Sequence, residues 1–136
     1  MTDAAFLAAF EACSLSGRDF DHRSHVRAAY LYLRRDGYAG AVASMTRSLK
    51  RFTAAHGQAS RYHATITLAY LTLINERLVL RGDGGGWEGF AAANADLFDR
   101  DLLARYYKPE TLKSERARQV FVLGDALANC RLDPTA

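Results

Sequence analysis

The chain has 136 residues, 49% of them hydrophobic, with 18 basic against 15 acidic side chains. That length and apolar content suit a single domain around one core, and a surplus of three positive charges, interspersed with negative ones, argues against the basic stripe of a nucleic-acid surface. Cys13 and Cys130 have no CxxC spacing, the N-terminus has no leader-like pattern, and the apolar runs are too interrupted to span a bilayer. These features together point to a cytoplasmic protein with reduced thiols and no membrane attachment.

Thr2 is placed to cap a first helix whose Phe6, Ala9, Phe10 and Cys13 share a stripe, ending between Ser14 and Gly17. A second helix is capped by Asp21 or Ser24, carries Val26, Ala29, Tyr30 and Leu33 inward, and closes at Arg34, Arg35 and Gly37. A third runs from Tyr38 to His56, with Ala41, Met45, Leu49 and Phe52 on its inner face and Gly57 as its stop.

The stretch from Tyr62 to Arg81 reads as the central helix, with Ser60 as its expected cap and Gly82 as its stop. Ile66, Leu68, Ala69, Tyr70, Leu71, Leu73, Ile74 and Leu78 cover nearly its whole circumference, so it needs neighbours on most sides. The glycines of 82–86 form a loop without the Lys-Ser/Thr and preceding strand of a phosphate-binding P-loop. Short helices are expected over Trp87–Asn94, over Asp99–Tyr106, from Pro109, and from Ser114 to Phe121. Beyond Leu123 the composition favours an extended tail, with a turn possible at Ala126–Ala128. No segment alternates apolar and polar residues, so the fold class is all-α, and short connections suggest an up-down bundle of four main helices with shorter C-terminal ones beside it.

Such alternation puts all four histidines at one end: His22 and His25 at the start of the second helix, His56 at the end of the third, and His63 at the start of the fourth. Helix N-termini disfavour imidazolium, and neutral imidazole is the form that ligates metals and acts as a base. His22, His25 and His63 are therefore candidate ligands for a divalent metal, zinc or iron, with Glu11 or Asp21 as an oxygen partner. Without metal, His63 or His25 can act as general acid or base, assisted by Tyr62. Thr67, Tyr70, Tyr30 and Asp21 are candidate contacts to a small-molecule ligand. Each has a plainer reading: Asp21 and His56 as caps, Thr65 and Thr67 bonding back to helix carbonyls, Tyr30 and Tyr70 in the core, and Cys13 as a small buried hydrophobe.

The runs Phe20-Asp21-His22-Arg23-Ser24-His25-Val26 and Tyr62-His63-Ala64-Thr65-Ile66-Thr67 resemble the FxHxxHV and YHxTIT motifs of a group of small all-helical bacterial proteins of undetermined function. In that pattern the position of Ala64 is commonly acidic, so this chain departs from it beside His63. The resemblance implies a single-domain helical fold and a shared histidine motif, and no reaction. The leading expectation is a helical domain with a small-molecule pocket at the histidine end, an enzyme if the histidines carry chemistry. The alternative is a non-catalytic structural or protein-interaction module whose histidines serve the fold.

Overall fold

The computed structural model describes residues 1–126, which form helices and turns with no strand among them. The all-α class follows directly. In α1 (Asp3–Glu11) the Thr2 hydroxyl accepts the Ala5 N–H at 3.1 Å, and Phe6 and Phe10 are buried. The chain leaves α1 through Cys13, whose φ of 59° costs a non-glycine residue roughly 1 kcal/mol.

The expected second and third helices are two halves of one element, α2 (His22–Ala55), broken at Gly37 with φ 73° and ψ −178°. Those angles are open essentially to glycine alone. The break folds segment 38–55 back along segment 22–36, because Tyr32 Oη lies 2.8 Å from Ser48 Oγ and the Phe20 and Phe52 ring centroids are 5.0 Å apart. Asp36, next to the break, accepts from Arg35 on one side and from the Ser44 hydroxyl on the other.

α3 (Ala64–Arg81) is the central helix, and it stops at Gly82 with φ 83°. It runs antiparallel to segment 38–55: the Tyr38 and Thr72 hydroxyls meet at 2.9 Å near one end, while Phe52 and Ile66 face a common cavity near the other. Both halves of α2 and the C-terminal segments surround it, as its apolar circumference requires. Its cap is His63 rather than Ser60, which belongs to a 3₁₀ turn over Ala59–Arg61.

α1 lies across both halves of α2: Asp3 pairs with Arg27 at 2.7 Å and Phe6 lies under the same guanidinium, while Glu11 accepts from Tyr32 at 2.8 Å and Phe10 meets Phe20 and Phe52. The Glu11 carboxylate is thereby occupied by Tyr32.

The C-terminal part consists of α4 (Trp87–Ala93), 3₁₀ turns over Ala95–Phe98 and Leu102–Arg105, α5 (Pro109–Leu112) and α6 (Glu115–Gln119). A full helix over 99–106 does not form, and the Asp99 carboxylate accepts the Asp101 N–H in the manner of an Asx turn that competes with a helical start. Arg77 of α3 holds this region through a bidentate pair with Asp96 at 2.8 and 2.7 Å, and buried Asn94 accepts from both Arg77 and Arg81.

α6 ends before the expected Phe121 because Thr65 captures the following backbone. Its hydroxyl donates to the Val120 carbonyl at 2.9 Å and accepts the Val122 N–H at 3.1 Å. Thr65 thus bonds to a distant segment, not back along its own helix. Residues 123–126 carry no helix, as an extended segment would not, and they are tied down: Asp125 accepts the Lys108 N–H, and the Ala126 N–H donates to the Tyr106 carbonyl. The rest of the expected tail, 127–136, and most of the expected turn at Ala126–Ala128 lie outside the described residues. Among the described residues no helix is long and apolar enough to cross a membrane.

A Cβ at residue 37 would meet no atom within 4 Å, so Gly37→Ala tests backbone strain alone. The substitution is expected to lower the unfolding free energy by about 1–3 kcal/mol, measured by urea denaturation; an unchanged midpoint would show that the reversal does not depend on glycine.

Candidate functional site

Asp21 starts α2 by accepting the Ser24 N–H at 2.9 Å, and that hydrogen bond holds its carboxyl below the usual carboxylate range. The next turn carries His22 and His25 in different directions. His22 donates from Nε2 to the Leu97 carbonyl at 2.9 Å and sets its ring at a steep angle to Tyr70, centroids 4.9 Å apart. His25 turns instead toward Phe20, with centroids 6.1 Å apart. Burial, and then the neighbouring His22, pushes the His25 pKa down to about 4. Its Nε2 is buried without a hydrogen-bond partner among the described residues.

His56 is the C-cap of α2. Nδ1 lies 2.9 Å from the Phe52 carbonyl and Nε2 3.0 Å from the Leu15 carbonyl, while the ring stacks on Phe52 at 4.2 Å. A neutral ring has one N–H and can donate to only one of these oxygens; the protonated ring donates to both. Either way, His56 ties the end of α2 to the loop after α1.

His63 performs two tasks. Nδ1 accepts the Ile66 N–H at 3.1 Å, capping α3, so the proton is on Nε2, which donates to the Leu112 carbonyl at 2.7 Å. Thr67 bonds back to the His63 carbonyl at 2.7 Å, as its plainer reading predicts.

These elements border a half-open cavity of about 450 Å³ lined by three of the four histidines, His25, His56 and His63. Thr67 and Tyr62 also line it; Leu49, Phe52 and Ile66 form apolar wall; Gln58 and Arg61 come from the short connection between α2 and α3. The volume is within the range of small-molecule sites. His22 does not border it, nor do the other candidate contacts. Tyr70 sits against His22, Tyr30 donates to the Asp83 carbonyl at 2.9 Å in a cluster with Trp87 and Phe90, and Asp21 is occupied as a cap.

The arrangement alters the chemistry expected of the trio. Among the described residues no three His, Cys, Asp or Glu side chains come close enough to share a metal ion. His22 is committed to Leu97, His63 to Ile66 and Leu112, and the proposed oxygen donors Glu11 and Asp21 to Tyr32 and Ser24. His63 has no free lone pair with which to act as a base, whereas His25 keeps its hydrogen-bonding capacity. Cys13 is partly buried against the core.

Sequence reasoning passes over Gln58 and the apolar wall. A usable signal existed for Gln58, which like Arg61 falls among the six residues between His56 and His63, a connection too short to leave the neighbourhood of either. No protein-family model, curated protein or solved structure matches the chain.

Two measurements check these assignments. His63→Ala removes both the cap and the bond to Leu112 and is expected to cost about 2 kcal/mol, with His63→Asn recovering the cap contribution of about 1 kcal/mol; equal losses in urea denaturation would contradict the cap. For His25 the folded pKa is depressed, so the unfolded chain binds the extra proton. The neutral ring's contribution is intact above the unfolded pKa near 6.5 and falls as pH drops toward about 4, by up to about 3 kcal/mol. His25→Leu should flatten the acid limb of stability over that window; parallel limbs in variant and wild type would sink the assignment.

Proposed function

We propose that this chain is a small-molecule-binding helical domain whose ligand occupies the cavity between His25, His56 and His63. The observation that carries the reading is the combination of a cavity of ligand size with a bordering histidine whose Nε2 is buried and unpartnered. Buried polar atoms are ordinarily paired, and an unpaired one next to a cavity is the kind of group a ligand satisfies. We read the two halves of α2 with α3 as the up-down part of a bundle, with α1 laid across it, so that the site lies at one end.

Binding is favoured over acid–base catalysis. A base works best with a pKa near the operating pH, and that of His25 is far below neutrality, while the nitrogens of His56 and His63 are engaged by backbone. A metal-dependent enzyme is the weaker reading for the same reason. The second reading, a non-catalytic structural or protein-interaction module, draws on those same backbone bonds, since they give three of the four histidines a role in holding the fold.

The two readings separate in a thermal-shift screen of small metabolites run in parallel on wild type and Ile66→Trp, a variant that fills the cavity from α3. Binding predicts compounds that raise the wild-type midpoint and leave the variant unmoved. A library without such a compound leaves the structural module as the better account.

A further inference from the structure

The lining of the cavity is one-sided in charge. Arg61 and three histidines border it, joined by Gln58 and Tyr62, and among the described residues no aspartate or glutamate does. Of the carboxylates assigned to this end of the molecule, Asp21 accepts the Ser24 N–H and Glu11 accepts from Tyr32. Arg61 has no acidic partner among the described residues; its one side-chain hydrogen bond there is to Gln58 Oε1 at 3.2 Å, which orients the guanidinium without neutralising it.

The adjoining cleft, about 350 Å³, shares Thr53 and Tyr62 with the cavity and repeats the pattern. It contributes Lys50 and Arg118 and, among the described residues, again no carboxylate. Arg118 is paired with Glu115, but Lys50 rests over the Tyr62 ring, 5.2 Å from its centroid, with no acidic partner among the described residues. Tyr62 is thus shared by the cavity that Arg61 lines and the cleft that Lys50 lines, and neither of these cations has an acidic partner among the described residues. Behind them the cavity wall is apolar, formed by Leu49, Phe52 and Ile66.

Resting on the proposal that this cavity binds a small molecule, we infer that its ligand is an organic acid, with a carboxylate at the mouth held by Arg61 and assisted by Lys50, and an apolar body against Leu49, Phe52 and Ile66. A guanidinium matches a carboxylate with two parallel N–H donors, and charge-assisted bonds of this kind are about twice as strong as neutral ones. A cationic ligand would meet Arg61 and Lys50 with no anion to offset them. Inorganic phosphate would satisfy the charge and leave the apolar wall uncovered.

The test is calorimetry and thermal shift on the full chain with shape-matched sets: benzoate, benzamide and benzylamine; hexanoate, hexanamide and hexylamine; and inorganic phosphate alone. The acids are expected to bind about tenfold more tightly than their amides, the difference made by one charge-assisted hydrogen bond. Arg61→Gln should remove that preference without changing the unfolding midpoint of the free protein, since Arg61 is exposed. Lys50→Gln should reduce it in part. If amides or amines bind as tightly as acids in wild type and lose binding in Ile66→Trp, the cavity binds ligands but the acid assignment is wrong. If phosphate matches the acids, the organic body is wrong. If no probe binds, the cavity reading and this inference fall together.

Discussion

The fold depends first on a backbone conformation, the positive φ of Gly37. Without it a continuous helix over residues 22–55 would be about 50 Å long at 1.5 Å per residue, and its two ends could not meet. With it, Phe20 reaches Phe52, Tyr32 reaches Ser48, and His25 comes to border the same cavity as His56. The reversal uses no loop residues, so the halves of α2 leave the turn already packed, with Asp36 bridging Arg35 and Ser44 across it. α3 then completes a layer in which a single cavity is bordered by the start of one segment, the end of the next and the start of the third.

That end of the molecule is organised by backbone groups that need partners. The starts and ends of helices leave N–H and C=O groups unpaired, and a histidine supplies both a donor and an acceptor in one ring. His63 uses the acceptor on the Ile66 N–H and the donor on the Leu112 carbonyl, joining α3 to α5; His22 donates to Leu97 and so fixes the turn that Arg77 holds from the other side through Asp96. Three imidazoles are therefore consumed by the fold. His25 differs because its neighbours are Phe20 and the cavity rather than a free carbonyl, and burial favours its neutral state.

Much of this was legible in the sequence, at the level where local chemistry decides. Thr2, Asp21 and Ser114 cap helices as their side chains dictate, Pro109 opens α5, and Gly37 and Gly82 end helical segments. The grouping of histidines at one end follows from antiparallel packing of the segments on either side of Gly37 and of α3, and it depends little on detail. What the sequence could not reveal is which way each ring turns. His22 and His25 sit three residues apart, a spacing compatible with a shared ligand, and the deciding factor is a distant one: the Leu97 carbonyl, 75 residues away, offers His22 a partner that His25 lacks. Thr65 was misread for the same reason, since its partners at Val120 and Val122 are remote in sequence. The orientation of α1 turned on Arg27 with Asp3 and Tyr32 with Glu11, pairs that no periodicity specifies.

The contrast between committed and uncommitted groups also sets where function can reside. A ring that caps a helix and clamps a neighbouring segment cannot move to meet a substrate without releasing both, so His63 is better suited to shaping a cavity than to reacting in it. Arg61 and Lys50 are tied to no carboxylate among the described residues; Arg61 lines the histidine cavity, and Lys50 rests over Tyr62 in the adjoining cleft. Both are exposed, so they are solvated in the free protein and remain available to pair with an anion. The rigid part of the cavity border is thus made by His56 and His63, satisfied within the fold, while Gln58 and Arg61, on the short connection between α2 and α3, bond through their side chains to each other.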